Sequence, residues 1–221
     1  MLEINNIKSV IFDMDGTLID NIAYHKKAWI LLLEKYGIRL EPEQFHAQNH
    51  GTIDEMIKHF FGNDLPDSRV KMLGHEKEQW YRDLYKNDIK EIEGLTEFLV
   101  DIKNKKIKIG LATNCDNSNI DFVLDSLKIR KFFDAITGGH EVTKGKPDPE
   151  IYITTLKKLG IENNKTIVFE DSGGGIRSAL QAGIKVIGIT TTLTNKELIG
   201  LSCIGAIDSF RQVKIVSNHF H

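Results

Sequence analysis

Two aspartates stand two positions apart where a short apolar run ends. Residues 10–12 read VIF, and Asp13 and Asp15 follow them, with Gly16 next in the chain. A run with two β-branched members is typical of a strand buried on both faces. Two carboxylates at the end of such a strand are unfavourable unless a cation or a proton holds them together. The spacing predicts a carboxylate site rather than a solvated turn, and no acidic ladder of a calcium loop follows Gly16.

Three other groups of polar residues stand next to predicted strand ends or helix starts. They are Thr113 with Asn114, Lys146 in the loop KGKP, and Glu170 with Asp171. Ligands of open α/β sheets bind beyond the carboxyl ends of the strands. Each group alone could be a helix cap or a turn. Together, and in this order, the four groups predict one shared site.

The elements that position these residues alternate between strands and helices from about residue 92 onward. Predicted strands cover 107–112, 135–136, 166–169 and 185–189, and predicted helices cover 94–104, 118–127, 149–159 and 175–182. Strands that alternate with helices of about ten residues indicate a parallel sheet with helices on both faces. The sequence therefore predicts an α/β fold with a doubly wound parallel sheet.

The chain between residues 21 and 90 has a different pattern. Apolar residues recur there at helical spacing, before Gly37, before Gly62 and over 67–85. The residues expected to face inward on the third helix are Val70, Leu73, Trp80 and Leu84. We therefore predict a small all-helical cap domain at 19–91, inserted after the first strand of a core domain formed by 1–18 and 92–221.

Composition limits the classes of partner. The chain has 221 residues, 41% of them apolar, with 29 Lys and Arg against 31 Asp and Glu and a net charge of −2. This balance argues against nucleic acid or an anionic membrane as the main partner. Two cysteines, Cys115 and Cys203, are too few for a disulfide framework, and no apolar stretch has the length of a signal peptide or a membrane span. We expect a soluble, monomeric, cytoplasmic protein.

The stretch DMDGTLID at 13–20 resembles the first motif of the haloacid dehalogenase-like superfamily, which consists mostly of phosphatases and phosphomutases. The groups at 113–114, 146 and 170–171 match the remaining motifs in order, so the resemblance covers the whole α/β part of the chain. The helical insert is similar to the small cap of the subfamily that includes β-phosphoglucomutase and many sugar-phosphate phosphatases. The implied fold is a Rossmann-like core with a helical cap.

The resemblance implies a role for each motif residue. Asp13 is then the nucleophile that becomes an aspartyl phosphate, and Asp15 is the general acid and base. Mg²⁺ is the implied cofactor. Its expected ligands are Asp13, the backbone carbonyl of Asp15, Asp171, and Glu170 either directly or through water. The residues expected to bind phosphate oxygens are Lys146, Thr113 and the backbone of Asn114.

The expected function is a Mg²⁺-dependent phosphatase acting on a small phosphorylated metabolite such as a sugar phosphate. Asp15 argues against a dehalogenase, because a halide leaving group needs no proton. The alternative is a phosphomutase like β-phosphoglucomutase, and a non-catalytic binding module is a third hypothesis. His25 and Lys77 resemble cap residues of the mutase and are candidate substrate-binding residues. The mutase's cap arginine is missing, because segment 51–54 reads GTID and offers an acid where a second phosphate would need a cation.

Overall fold

The computed structural model describes residues 1–39 and 52–216. The chain forms two compact units, one made of Met1–Asp20 with the segment that begins at Ile89, the other of Asn21–Asp88. Within the described ranges, no helix is long and apolar enough to span a membrane. The limits proposed for the cap domain, 19–91, and for the core domain, 1–18 and 92–221, stay a prediction.

The larger unit is built on a parallel sheet. In chain order the strands are β1 (Leu2–Asn5), β2 (Ser9–Phe12), β3 (Lys108–Ala112), β4 (Ala135–Thr137), β5 (Thr166–Glu170), β6 (Lys185–Ile189), β7 (Gly205–Ile207) and β8 (Val213–Val216). The described α-helices are α1 (Ile22–Lys35), α2 (Ile53–Phe61), α3 (Asp67–Tyr85), α4 (Leu95–Asn104), α5 (Asn117–Ser126), α6 (Glu150–Leu159), α7 (Gly173–Gln181) and α8 (Asn195–Gly200). Six strands form one sheet in the order β4-β3-β2-β5-β6-β7, and every neighbouring pair is parallel. The predicted α/β fold with an inserted helical part is confirmed.

Strand β2 lies in the middle of this sheet, between β3 and β5. Its residues are all buried, and successive side chains point to opposite faces. Ile11 packs in a cluster with Ile151 of α6 and Ile176 of α7. Phe12 lies on the other face, where its ring stacks on Phe169 with centroids 5.3 Å apart. Both faces are therefore covered, which explains why β2 reads as an unbroken apolar run.

Strands β1, β7 and β8 and helix α8 were not predicted from the sequence. β1 and β8 pair with each other, in parallel, as a separate two-stranded sheet. Their partners are more than 200 residues apart in the chain, and β1 buries only Ile4 fully. β1 (LEIN) and the first three residues of β8 (VKI) do alternate between apolar and polar residues, but a pattern of four residues or fewer is at the lower limit for identifying a strand and does not identify so distant a partner.

The helical unit has its core between helices α1, α2 and α3. Its buried members are Trp29, Leu32, Leu33, Met56, Ile57, Val70 and Leu73. The prediction for α3 was partly wrong, because Trp80 and Leu84 are only half-buried while Lys77, Tyr81 and Tyr85 are buried. The buried face follows steps of four residues beyond Leu73, and this rotates it away from the face that Trp80 and Leu84 share.

We expect Phe210→Ala to lower the free energy of unfolding by about 3–5 kcal/mol, because it removes a ring from the packed core. Phe210 is fully buried and its ring stacks on Phe98 with centroids 5.4 Å apart. The matched control is Ile204→Ala, at a site that is half exposed, and it should change stability by no more than about 0.5 kcal/mol. Urea unfolding measures both. Equal losses for the two variants would contradict this description of the core.

Candidate active site

Asp13 comes directly after the central strand and continues its pairing. Its N–H donates to the carbonyl oxygen of Phe169 at 3.0 Å. This bond places Asp13 beside the end of β5, where Glu170 and Asp171 follow Phe169. The parallel register of β2 and β5 thus brings together carboxylates that are more than 150 residues apart in the sequence.

The chain after Asp13 turns sharply at Gly16. Gly16 has a φ of +77°, a conformation that side chains disfavour, and a Cβ there would lie 2.1 Å from Oδ2 of Asp171. The turn is closed by the N–H of Gly16, which donates to the carbonyl of Ile19 at 2.8 Å. Only glycine fits this position, because the turn runs directly against the carboxylate of Asp171.

Lys146 links two of the carboxylates. Its Nζ donates to Oδ1 of Asp13 at 2.5 Å and to Oε1 of Glu170 at 2.8 Å. Its backbone N–H donates to Oδ1 of Asn114 at 3.0 Å, so the Asn114 side chain holds the loop that carries the lysine. Lys146 is buried, whereas Lys144 in the same loop is exposed.

Glu170 is fully buried and accepts five hydrogen bonds. Oε1 accepts from Lys146 and from the hydroxyl of Tyr152, which lies 3.2 Å away. Oε2 accepts from the N–H groups of Asp171 and Ser172, each at 2.9 Å, and from Oγ of Ser172 at 3.1 Å. Glu170 therefore anchors both Lys146 and the loop that leads into α7. Tyr152 was not predicted as a site residue, because a tyrosine in an amphipathic helix such as α6 gives no signal in the sequence beyond that of packing.

Burial dominates the electrostatics of these groups. It raises the pKa of Asp13 to about 7, although the charge of Lys146 acts in the opposite direction. Burial also raises the pKa of Asp171 well above its usual range, and the charges of Glu170 and Asp13 add to the effect. Burial alone would lower the pKa of Lys146, but attraction to Asp13 and Glu170 raises it well above normal. The positive charge of one lysine thus does not balance the negative charges of three buried carboxylates.

The same carboxylates could hold a divalent metal ion. One oxygen from each of Asp13, Glu170 and Asp171 lies within 4.8 Å of the other two, and all three residues are buried. Oxygen ligands suit hard cations such as Mg²⁺, Ca²⁺ or Mn²⁺. A divalent cation would also supply the positive charge that Lys146 alone does not provide. The donor set and its electrostatics therefore fit a metal site.

Other candidate residues lie at the ends of β2 and β3. Asp15 is half-buried, and its Oδ2 accepts from the thiol of Cys115 at 2.8 Å. Thr113 is buried, and its Oγ1 accepts from the N–H of Cys115 at 3.2 Å. Asn114 is exposed, apart from its contact with the loop of Lys146. The contact between Cys115 and Asp15 could not be inferred from the sequence.

The two candidate residues of the helical unit contact each other. Nζ of Lys77 lies 2.7 Å from Nδ1 of His25 and 2.8 Å from Oε1 of Glu78. The ring of His25 stacks on that of Tyr81, with centroids 3.7 Å apart. Lys77 is almost fully buried, with 3% of its surface exposed. This unit therefore contains a buried lysine whose charge is paired with that of Glu78.

Comparison with known protein families places the same groups of site residues within one family. Residues 10–189 match the family model described as haloacid dehalogenase-like hydrolase. The chain belongs to this family. The match includes all four groups of site residues, so the resemblance expected from the sequence motifs is confirmed.

Relatives of this haloacid dehalogenase-like hydrolase include phosphatases and mutases. It is 32% identical over 195 residues to a phosphorylated carbohydrates phosphatase of Thermotoga maritima, covering 86% of this chain and 88% of the relative. It is 30% identical over 190 residues to β-phosphoglucomutase of Bacillus subtilis, covering 83% of each chain. The crystal structure of a HAD hydrolase (family IA, variant 3) from Entamoeba histolytica matches with a TM-score of 0.87 and 33% identity, over 94% of this chain and 96% of that one. The protein is a phosphoric monoester hydrolase of the β-phosphoglucomutase-like subfamily.

We expect Gly175→Ala to damage this site, because the new Cβ would lie 1.5 Å from Oε1 of Glu170. Glu170 or the backbone must shift to make room for the methyl group, and this should lower the free energy of unfolding by about 1–3 kcal/mol. Phosphatase turnover should also fall, since Glu170 holds Lys146. The control is Gly174→Ala, whose Cβ meets no atom within 4 Å. That variant should be neutral or more stable by up to about 1 kcal/mol. Thermal unfolding and turnover of a generic phosphate ester test the pair, and indistinguishable variants would refute the close approach to Glu170.

Proposed function

We propose that this hydrolase is a Mg²⁺-dependent phosphatase that hydrolyses a small sugar phosphate through an aspartyl phosphate. The observation that carries the proposal is the arrangement around Asp13. Its Oδ1 lies 2.5 Å from the ammonium nitrogen of Lys146, and one carboxylate oxygen from each of Asp13, Glu170 and Asp171 lies within 4.8 Å of the other two. Phosphoryl transfer depends mainly on positioning and on neutralising the charge of the phosphate oxygens. A carboxylate beside one fixed cation and a set of oxygen ligands for a second meets both needs.

The ligands that we assign to Mg²⁺ are Asp13, Asp171 and the backbone carbonyl of Asp15, with Glu170 directly or through water. The ion would offset negative charge on the phosphate and keep Asp13 ionised, against the burial that raises its pKa to about 7. The five hydrogen bonds that Glu170 accepts already exceed the roughly four lone-pair sites of a carboxylate. This favours the indirect role for Glu170.

In the proposed reaction, a carboxylate oxygen of Asp13 forms a bond to phosphorus as the ester P–O bond breaks. Asp15 gives its proton to the leaving oxygen and then takes a proton from the water that hydrolyses the aspartyl phosphate. Lys146 and Thr113 bind phosphate oxygens. Because the side chain of Asn114 already accepts the N–H of Lys146, we assign its phosphate contact to the backbone.

A phosphomutase is the second candidate, supported by the identity with β-phosphoglucomutase and by the contact between His25 and Lys77. We propose that these two residues bind the part of the substrate that is not transferred. Two observations favour the phosphatase. The charge of Lys77 is paired with Glu78, and α2 begins with Asp54 and Glu55 in its first turn rather than with a cation. Gly51, the first residue of the predicted GTID match, lies outside the described residues.

We expect Asp13→Asn and Asp15→Asn both to lose turnover, but for different reasons. The amide introduced by Asp13→Asn is not a nucleophile, so that variant should form no phosphoenzyme. Asp15→Asn removes proton transfer, which typically contributes two to four orders of magnitude, while the backbone carbonyl and the nucleophile remain. Rapid quench with a labelled phosphoryl donor that has a good leaving group measures the phosphoenzyme. Similar amounts of phosphoenzyme in both variants would contradict the assignment of Asp13 as the nucleophile and Asp15 as the general acid and base.

The fate of the phosphoenzyme separates phosphatase from mutase. We expect phosphoenzyme made with a small phosphoryl donor to decay within seconds in the absence of any sugar phosphate, because water completes the reaction of a phosphatase. Release of inorganic phosphate from a panel of sugar phosphates, including β-glucose 1-phosphate, measures the hydrolysis. A phosphoenzyme that persists for minutes, together with conversion of β-glucose 1-phosphate to the 6-phosphate, would establish the mutase instead.

A further inference from the structure

Three consecutive threonines follow strand β6, and the proposed mechanism does not use them. Oγ1 of Thr192 donates to Oδ2 of Asp171. Oγ1 of Thr191 donates to the carbonyl oxygen of Gly16 at 2.5 Å. Oγ1 of Thr190 donates instead to the carbonyl oxygen of Ile207 on β7, at 3.3 Å. Two neighbouring hydroxyls therefore support the active site, while the third supports the sheet.

The carboxylate of Asp171 is held from two directions. Thr17, in the turn after β2, donates to its Oδ1 at 3.4 Å, and Thr192 donates to its Oδ2 from the loop after β6. The backbone at Gly16 lies against the same group, since a Cβ there would be 2.1 Å from Oδ2. Asp171 is 2% exposed, so these hydroxyls take the place of water as donors to its carboxylate. Its orientation thus depends on these hydroxyls.

We propose that Thr192 is a positioning residue that orients Asp171 for metal binding and so sets the affinity of the site for Mg²⁺. The inference rests on the proposed function, in which Asp171 is a ligand of Mg²⁺. A carboxylate oxygen that accepts a hydrogen bond keeps one orientation, and Mg²⁺ requires near-ideal octahedral geometry. Loss of a hydrogen bond behind a metal ligand typically weakens metal binding by about 10–100-fold.

The test compares four proteins by calorimetric titration with Mg²⁺, a measurement that does not depend on turnover: the wild type, Thr192→Val, Thr192→Ser and Thr190→Val. Valine keeps the shape and removes the hydroxyl, and serine keeps the hydroxyl. We expect Thr192→Val to bind Mg²⁺ about 10–100-fold more weakly and Thr192→Ser to bind close to wild type. Thr190→Val is the matched control, because its hydroxyl serves Ile207, and it should bind as the wild type does.

The outcomes separate this inference from the proposed function. If the wild type binds Mg²⁺ and Thr192→Val binds it equally well, Thr192 has no positioning role and the metal assignment stands. The role is also refuted if Thr190→Val weakens binding as much, because the effect would then belong to the loop as a whole. If the wild type binds no Mg²⁺, the metal assignment and the role of Thr192 both fail. Thr192 is exposed, so we expect valine to be tolerated, and Thr192→Ala replaces it if thermal unfolding shows otherwise.

Discussion

The buried ammonium of Lys146 is the contact on which the rest of the site depends. Asp13, Glu170 and Asp171 are buried within a few ångströms of one another, and such a group of like charges is strongly unfavourable without cations. Lys146 offsets part of the repulsion by bonding to Asp13 and Glu170 together. The surrounding residues hold the lysine and its partners in place. Asn114 fixes its loop, and Tyr152 fixes Glu170.

The sheet makes this arrangement possible. Strand β2 pairs with β3 on one side and β5 on the other, in registers that align Phe12 with Leu111 and Phe169. The residues that follow these strands therefore emerge at one edge. The aromatic stack below this edge, with Phe12 on Phe169, keeps the two strand ends in position. Packing energy in the core thus offsets the cost of confining charges at its edge.

Much of this could be predicted from the sequence, because strong local patterns carry the information. Helix 67–85 and strand 185–189 have the predicted bounds, since their periodicity and apolar runs are clear. The pairing of β1 with β8 could not be predicted, because it joins the two ends of the chain without a local signal. The same limit explains why the contacts of Cys115 and Thr192 could not be predicted. Their contacts with Asp15 and Asp171 depend on side-chain direction across elements that are distant in sequence.

Glu170 and Asp171 carry the same functional group, but their different hydrogen-bond partners suit them to different roles. Both are buried carboxylates at the end of one strand, and the motif alone assigns both to the metal. Glu170 accepts five hydrogen bonds, from Lys146, Tyr152 and the loop that starts α7, so its lone pairs are taken. Asp171 accepts from the hydroxyls of Thr17 and Thr192, one on each oxygen. Each oxygen of Asp171 can therefore still offer a lone pair to a cation. The first carboxylate thus holds the lysine in place, and the second is the one suited to bind a metal directly.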